Sequence, residues 1–504
     1  MSFRNSASAG AIFAALVLAG PAWADLAAEE VWAAWKAVAE GAGQTISATE
    51  TRSGDTLTIS DVTVTAAMPE GSAVARQDGA IAFRERGDGT VEVALPGSFG
   101  IAMDVRPPEG KRIEAEMTVV QDGFSMVASG TPDAIAYDLS AETLTLTLDR
   151  AEADGEPVDA RAVSGMTGMT GRYTVSRRET TRVEGEIAAE GARFDVAVNA
   201  PEDDVSLRYA GEVSDLAGTS TAVTVPGMDN TQLGAMLEAG FSSEGRVTHG
   251  GFAYAMSVAD GAGTTDVTAS FEGGSIDFAL AGAGMVYDVR SDAGQISVSG
   301  ASVPLPQLDL AFAESAFRLE LPLVETEEPA DFELLTRTEG LTVSDGIWAM
   351  LDPAGQLPRD PATLVLDLGG KARWLVDITD PETMAGASPE APPAELHELN
   401  VKDLELSLAG AELTGNGAFV FDNSDKTSFD GMPKPTGGVA LKLTGANTLL
   451  DRLVNMGLIP PDQATGMRMM LGMFARPTGD GDTLTSEIEV TPDGQVLANG
   501  QRLR

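Results

Sequence analysis

The chain offers few side chains for imidazole chemistry, because its only histidines are His249 and His397. A three-histidine zinc site is therefore impossible, and with no cysteine in the chain no thiolate can complete one. A Ser-His-Asp arrangement needs one histidine, but no Gly-x-Ser-x-Gly turn presents a nucleophile. His249 precedes two glycines and His397 follows a proline-rich segment, so both are interpreted as turn or surface residues.

Carboxylate pairs are unavoidable by chance among 76 acidic residues. The densest clusters, Glu202-Asp203-Asp204 and Glu325-Thr326-Glu327-Glu328, flank apparent strands and are interpreted as solvated turns. A glycosidase pair is defined by its separation across a cleft, which a sequence does not give. With 17 Phe, 5 Tyr and 5 Trp, the low aromatic content also disfavours a sugar-stacking cleft.

Two glycine-rich segments resemble ion- or phosphate-binding loops only in part. The segment 479–482, Gly-Asp-Gly-Asp, lacks the acidic spacing and terminal Glu of an EF-hand, so a hairpin turn is favoured. The segment 165–171 has three glycines but no following phosphate-loop Lys, and it is interpreted as a flexible turn between strands.

Four methionines, Met467, Met469, Met470 and Met473, crowd the last helical segment. Methionine surfaces can be adaptable binding faces. A helix packed on a sheet is favoured instead, because Met467 and Met470 share the expected core stripe. The sequence thus assigns no catalytic, cofactor-binding or metal-binding residue, and no cofactor is expected.

Charge narrows the range of partners. The 504 residues include 33 Lys and Arg against 76 Asp and Glu, a net charge of −43. Nucleic acid is therefore an unexpected partner, since phosphate binding needs a basic face. The main effect expected of the acidic charge is to keep the protein soluble.

The first 24 residues predict export. Arg4 is the only charge before Asp25, residues 9–20 are small or apolar, and Ala22-Trp23-Ala24 fits the small-residue cleavage pattern. The apolar run is too short for a permanent membrane anchor. We therefore expect a signal peptide at 1–24, cleavage after Ala24, a periplasmic location and no transmembrane anchor afterwards.

Alternation of apolar and polar residues dominates the remaining chain. Residues 143–148 read Thr-Leu three times, and the same period of two recurs at 91–95, 194–198, 276–280, 308–312, 317–321 and 404–408. Such strands have one apolar and one polar face and belong to antiparallel sheets. Asp-Gly occurs nine times, mostly between these runs, which favours hairpin turns.

Helical periodicity is confined to a few segments. An amphipathic helix is predicted over 25–42, short helices over 229–239 and 344–351, and a C-terminal pair capped by Asn447 and extending over 462–476. We expect a mainly β fold with long, curled antiparallel sheets and these few covering helices.

A proline-rich segment suggests the domain organisation. Residues 381–393 hold four prolines and little periodicity. We expect a β region with an N-terminal helix over 25–380, a loop or linker over 381–395, and a C-terminal β unit with two helices over 396–504, packed with the preceding region.

The C-terminal part resembles a known family. Its segments are Val343–Trp348, Leu357–Leu364, Phe429–Gly437, and the tail from Glu487–Val490 to Val496–Leu503. They are similar to the alphaproteobacterial proteins of domain-of-unknown-function family 2125, whose lack of an established activity leaves no functional residues to transfer. In fold alone these proteins resemble AsmA-type envelope proteins, and that resemblance implies long β-sheets with lipid-contacting grooves.

Many strands with an apolar face but few helices to cover them favour a non-enzymatic envelope protein that binds lipid or an envelope partner along an apolar β groove. The alternative is a secreted hydrolase with a carboxylate site on a β scaffold. The oligomeric state is not indicated by the sequence.

Overall fold

The fold consists mainly of strands. The computed structural model describes residues 25–503 except 69–70, 108–109, 201–203, 227–231, 301–302, 304, 326, 380–392 and 480. Strands make up 65% of the structure and helices 11%. The strands form one large antiparallel sheet, with helices near both ends of the chain. The expected mainly β, antiparallel fold is confirmed.

The helices within the described residues are α1 (Ala28–Gly41), α2 (Leu233–Glu238), α3 (Asp345–Leu351), α4 (Ala446–Asn455) and α5 (Pro461–Phe474). The strands of the amino-terminal half are β1 (Gln44–Ser53), β2 (Thr56–Met68), β3 (Gly71–Gln77), β4 (Ile81–Glu85), β5 (Val91–Ala94), β6 (Ser98–Arg106), β7 (Ile113–Asp122), β8 (Ser125–Thr131), β9 (Ala134–Ala153), β10 (Glu156–Pro157), β11 (Asp159–Arg177), β12 (Thr181–Ala200) and β13 (Val205–Thr224). The remaining strands are β14 (Ser242–His249), β15 (Gly251–Asp260), β16 (Gly263–Phe271), β17 (Gly274–Ala281), β18 (Gly284–Ser291), β19 (Gly294–Gly300), β20 (Gln307–Phe312), β21 (Glu314–Leu321), β22 (Ala330–Val343), β23 (Ala362–Trp374), β24 (Ala394–Leu408), β25 (Ala411–Asp422), β26 (Lys434–Thr444), β27 (Arg476–Pro477), β28 (Thr483–Val490), β29 (Val496–Ala498) and β30 (Gln501–Arg502).

Long strands alternate with pairs of shorter strands that lie end to end. One edge of β2 is shared by β3 and β4, and one edge of β9 is shared by β7 and β8. Four long strands, β9, β11, β12 and β13, then follow in order. The edge of β13 is again shared, by β14 and β15. Each of these begins a line of short strands, and the two lines end at the same long strand, β22, which pairs with β21 and with β20.

We call the boundary between these two lines of short strands the crease. It continues through the long strands. At the crease, Asp61 in β2, Gly168 in β11 and Asp215 in β13 have φ values of 54°, 58° and 51°. Positive φ is strained for most residues and interrupts the regular pleat of a strand. We call the side of the crease that carries α1 and β4, β5, β8, β14, β17, β18 and β21 the helix side. The other side, with β3, β6, β7, β15, β16, β19 and β20, is the aromatic side.

Apolar residues change position in the alternation at the crease. In β11 the apolar residues are odd-numbered on the helix side, as at Tyr173 and Val175, and with the exception of Val163 even-numbered on the other side, as at Ala162 and Met166. In β13 the change is from Val213 to Leu216. The segment 165–171 therefore lies inside a strand that spans both sides, and its interpretation as a turn between strands is wrong, because Gly168 supplies a local crease rather than a reversal.

The hydrophobic core within the described residues lies beneath α1. Val31 and Trp32 of this helix are 0% and 2% exposed, and they pack on Phe83, Ile59 and other buried strand residues of the helix side. The Trp32 indole N–H also donates to Glu50 Oε1 at 2.6 Å, which joins α1 to β1. The amphipathic N-terminal helix is thus confirmed, although it begins at Ala28 rather than Asp25.

The C-terminal helix pair is present, but its capping differs from the prediction. The backbone N–H groups of Asn447 and Thr448 donate to the Asp482 carboxylate at 3.1 and 2.7 Å. The first turn of α4 is therefore capped from the loop before β28 rather than by the Asn447 side chain, a contact that spans too much sequence for a local pattern to reveal.

Some expected features lie outside the described residues. These are the signal peptide, residues 381–392 of the linker, residues 229–231 of the second helix, Glu202-Asp203 and Asp480. The linker's last two positions, 394 and 395, belong to β24. The domain division stays a prediction.

The positive φ of Gly168 at the crease leads to a prediction about the stability of the fold. A Cβ atom at Gly168 would lie 2.5 Å from Glu190 Cγ, in addition to the strain of positive φ. Gly168→Ala should lower the free energy of unfolding by roughly 1–2 kcal/mol, measured by denaturant titration. Gly165→Ala in the same strand is the matched control, because its nearest neighbour would lie at 3.5 Å. Equal effects of the two substitutions would contradict a role for the crease.

Candidate functional site

One continuous row of residues crosses the helix side of the sheet. Residues directly paired across antiparallel strands share a face. Successive pairings join Arg52, Leu57, Phe83, Val93, Met126, Leu139, Gly171, Ile187, Gly218, Val247, Ile276, Val289, Phe317, Thr336, Leu366, Leu404, Gly415, Leu441 and Ser486. Between its two ends, every member except Thr336 is apolar or glycine.

The row is covered at its first end and uncovered beyond it. Beneath α1, Phe83 and Val93 are 0% and 1% exposed. From β12 onward eight large side chains of this row and of the rows beside it are 38–45% exposed, whereas Val289, Leu366, Leu404 and Leu441 of the row are half-buried. We call the eight exposed residues the apolar strip: Ile187, Val247, Ile276, Phe278, Tyr287, Phe317, Leu364 and Leu406.

Glycines in the neighbouring strands leave space for large side chains of the strip and of the row to lie flat against the sheet. A Cβ atom at Gly245 would be 2.6 Å from Phe278 Cε1, and one at Gly415 would be 2.5 Å from Leu441 Cδ2. Each glycine thus leaves room for the side chain across the ladder, since even a methyl group would displace it.

At its far end the row continues past the apolar strip to α5. Ser486, the last member of the row, donates from Oγ to the carbonyl oxygen of Phe474 at 2.6 Å. The carboxyl end of α5 therefore lies against the row at β28, on the strip's side of the sheet. Helices thus lie at both ends of the row, α1 at the first and α5 at the last.

The opposite face of the same strands is ionic. Asp277 lies between Ile276 and Phe278 and pairs with Arg246 at 3.2 Å. Asp288 lies next to Tyr287, and its carboxylate forms ion pairs with Arg290 at 3.0 Å and with Arg318 at 3.2 Å. Alternation within a strand separates the two faces, so ion pairs cover one side while the apolar strip occupies the other.

Asp288 is the most enclosed member of this ionic face, with a side chain 6% exposed. Burial alone would raise its pKa, but hydrogen bonds from Arg290 and Arg318 outweigh burial and hold the pKa below its usual range. The folded state therefore favours the anion. Arg318 also reaches Glu320 and Glu333, at 2.7 and 3.0 Å, and links β21 to β22.

On the aromatic side, six rings form a chain of contacts, with centroid distances of 4.7–6.2 Å: Phe194, Tyr209, Tyr254, Phe252, Phe271 and Phe312. Each of these rings is half-buried, because it is partly covered by its neighbours. This second apolar region is more enclosed than the strip.

A cavity of about 730 Å³ on this side has a mixed lining. Arg193, Glu190 and Glu212 contribute to it together with Thr, Ser and Gly residues, and its apolar lining includes Met166, Val213, Phe252 and Phe271. The cavity lies beside the crease rather than over the apolar strip. The exposure of the strip's side chains makes it an open surface.

The residues singled out in the sequence do not come together. His249 ends β14 and His397 lies within β24. In the described part of the chain, no group of three or more His, Asp or Glu side chains could hold a metal ion. The alternation at 276–280, 317–321 and 404–408 identified three strands of the strip, β17, β21 and β24, but not β14, β18 or β23. It did not reveal the continuity of the strip, which depends on pairings between distant segments.

Several carboxyl groups have displaced pKa values, all in the same direction. The pKa is lowered by hydrogen bonds or ion pairs at Glu50, Glu85, Asp88, Asp104, Asp288, Asp309, Glu333, Asp352, Asp422, Asp425 and Asp482. A general acid needs the opposite displacement. These groups therefore do not supply one, and the hydrolase alternative stays an untested prediction.

The predicted core stripe of α5 is correct in part. Ala464 is 1% exposed and Met467 and Leu471 are half-buried, but Met470 and Phe474 are 61% and 44% exposed. Met469 and Met473 are also exposed, at 70% and 63%. The stripe is wrong at Met470 and Phe474, because α5 packs through the side of the helix that carries Ala464, Arg468 and Leu471.

The ionic face predicts unequal roles for two arginines. Arg318→Ala should cost about 1.5–3 kcal/mol of unfolding free energy at pH 7, as expected for a hydrogen-bonded charge. Arg290→Ala should cost less than about 1 kcal/mol, since that side chain is more exposed. Denaturant titrations of both variants measure the difference.

The pH dependence follows from the lowered pKa of Asp288. Its stabilising contribution is present above the unfolded-state pKa of about 3.9 and is lost as the pH falls through the folded-state value. The gap between wild type and Arg318→Ala should therefore narrow below about pH 4. A gap that stays constant down to the acid transition would contradict this assignment.

No helix among the described residues combines the length and apolar character needed to cross a bilayer. Comparison with curated proteins gives no match. Residues 246–503 match the model of a family described as an uncharacterized protein conserved in bacteria, DUF2125. The match covers half of the chain and contains the apolar strip from β14 onward. The chain therefore belongs to the DUF2125 family, as the resemblance of its C-terminal segments indicated.

Proposed function

We propose that this protein is a non-enzymatic, periplasmic cell-envelope protein that binds the acyl chains of lipids along the apolar strip. The observation that carries this proposal is the strip itself, whose large apolar side chains are 38–45% exposed in one continuous surface. The resemblance to AsmA-type proteins agrees with it but supplies no site residue.

The dimensions of the strip support a functional surface. It runs from β12 to β24 across nine neighbouring strands, or roughly 38 Å. Its members lie in three rows, a width of at most roughly 14 Å. One outer row is apolar only at Leu364 and Leu406 and continues through Thr338 and Ser315. The area is therefore at most about 500 Å², within the range of the largest apolar patches of monomeric proteins, which are often binding sites.

The chemistry of the strip favours acyl chains. Its members offer almost no hydrogen-bonding groups, and the backbone beneath them is already paired in the sheet. Covering the strip would therefore gain free energy through apolar burial, at about 25 cal/mol per Å². A flexible hydrocarbon chain can provide that cover without leaving a polar group unpaired.

The lipid proposal is tested with the protein beginning at Asp25. The wild-type protein should retain phospholipid after purification and bind fluorescently labelled phosphatidylcholine. The double variant Ile276→Glu, Phe317→Glu places two charges in the strip at exposed positions, and binding should fall at least about tenfold. Fluorescence titration and thin-layer chromatography of extracted lipid measure the change.

The matched control is Thr170→Glu, Thr219→Glu, which adds two charges to exposed positions on the opposite face of the helix side. It should bind as the wild type does. Circular dichroism must show that both variants fold. Lipid-free wild-type protein that takes up no labelled lipid, or equal losses in both variants, would contradict the proposal.

Export is a separate part of the proposal and rests on residues 1–24. Expression of the full chain in a bacterium should yield a periplasmic product whose mass begins at Asp25. Ala24→Arg should block this cleavage, because the cleavage site requires small residues. A product that keeps Met1 and stays in the cytoplasm would contradict a periplasmic role.

A further inference from the structure

The exposed face of α5 is apolar along the end of the helix. Met469 and Met473 are four residues apart, as are Met470 and Phe474, so these side chains lie on adjoining parts of one helix surface. They are 44–70% exposed. Leu458, in the connection between α4 and α5, is also 59% exposed, near the other end of α5.

This helix pair differs in charge from the rest of the protein. Residues 446–477 contain the acids Asp451 and Asp462 and the bases Arg452, Arg468 and Arg476, so the segment is slightly basic. The whole chain has a net charge of −43. Arg468 is paired with Asp451 at 2.6 Å, and no charged residue lies between 469 and 474.

Contacts at both ends hold α5 in this orientation. Ala464 in its second turn is 1% exposed. At its other end the Phe474 carbonyl accepts hydrogen bonds from Ser486 Oγ at 2.6 Å and from Asn499 Nδ2 at 2.9 Å. These contacts fix the helix with its methionines outward, so rotation about its axis would break them.

We propose that α5 docks on the surface of a lipid bilayer, with Met469, Met470, Met473 and Phe474 entering the boundary between headgroups and acyl chains. Amphipathic helices bind membranes in this way through buried apolar area. This inference rests on the proposed function in one respect: the Phe474 end of α5 lies against β28, at the end of the row that contains the strip, so docking would bring that face of the sheet toward the lipid that the strip is proposed to bind.

The charges favour a bilayer over a second copy of the chain. Two copies that met through this face would each carry a net charge of −43, whereas the slightly basic helix pair is the part of the protein least repelled by a membrane. Methionine side chains adapt to an irregular apolar environment, which a fluid lipid surface provides.

The experiment is flotation of the protein beginning at Asp25 with phosphatidylcholine vesicles. Wild type should float with the vesicles, and added salt should change this little, because the contact is apolar. The variant Met469→Glu, Met473→Glu should reduce the bound fraction at least about tenfold. Both side chains are well exposed, so the substitutions should not disturb folding.

The matched control is Thr170→Glu, Thr219→Glu, which adds the same two charges to exposed positions of β11 and β13, outside the helix pair. It should float as the wild type does. Absence of wild-type flotation, or equal flotation of the methionine variant, would overturn the proposal. A wild-type dimer that the methionine variant converts to a monomer in size-exclusion chromatography would instead assign the face to a second copy.

A second comparison separates this inference from the proposed function. The methionine variant should lose flotation but still bind labelled phosphatidylcholine presented in detergent. The strip variant Ile276→Glu, Phe317→Glu should float but fail to bind the labelled lipid. Failure of lipid binding in the wild type with normal flotation would refute the strip proposal and leave membrane docking in place.

Discussion

The register of the antiparallel ladder is the constraint on which the rest of the structure depends. Each pairing decides which side chains share a face, and one slip by a single residue would move a strand's apolar set to the ionic face. The pairing of Val247 with Ile276, and of Val289 with Phe317, keeps the strip continuous. The same pairings bring Asp288 opposite Arg318 on the other face. Apolar contacts and ion pairs therefore specify one alignment together.

Much of this architecture could be predicted from local sequence. The Thr-Leu alternation at 143–148 identifies a strand of β9, and the stripe containing Val31 and Trp32 identifies α1. Both signals arise within a few residues, where the periods of strands and helices differ. The sequence also shows that Phe278 and Phe317 lie on apolar faces.

What could not be predicted depends on distant contacts. Gly168 appears in a glycine-rich segment that resembles a turn, but its neighbour Glu190 and the pairing on both sides keep it inside a long strand. Asp482 caps the first turn of α4, although it follows both C-terminal helices in the sequence. The exposure of Met470 depends on how few surfaces α5 contacts. The strip likewise appears only when strands far apart in sequence are placed side by side.

The order of the strands has a consequence for how the protein forms. Apart from the two stretches of paired short strands, neighbours in the sheet are also neighbours along the chain. Each new strand can therefore add to the growing edge left by the one before, beginning from the core beneath α1. Assembly in this manner needs no late closure between the two termini, which suits a chain that becomes available to fold from its amino-terminal end.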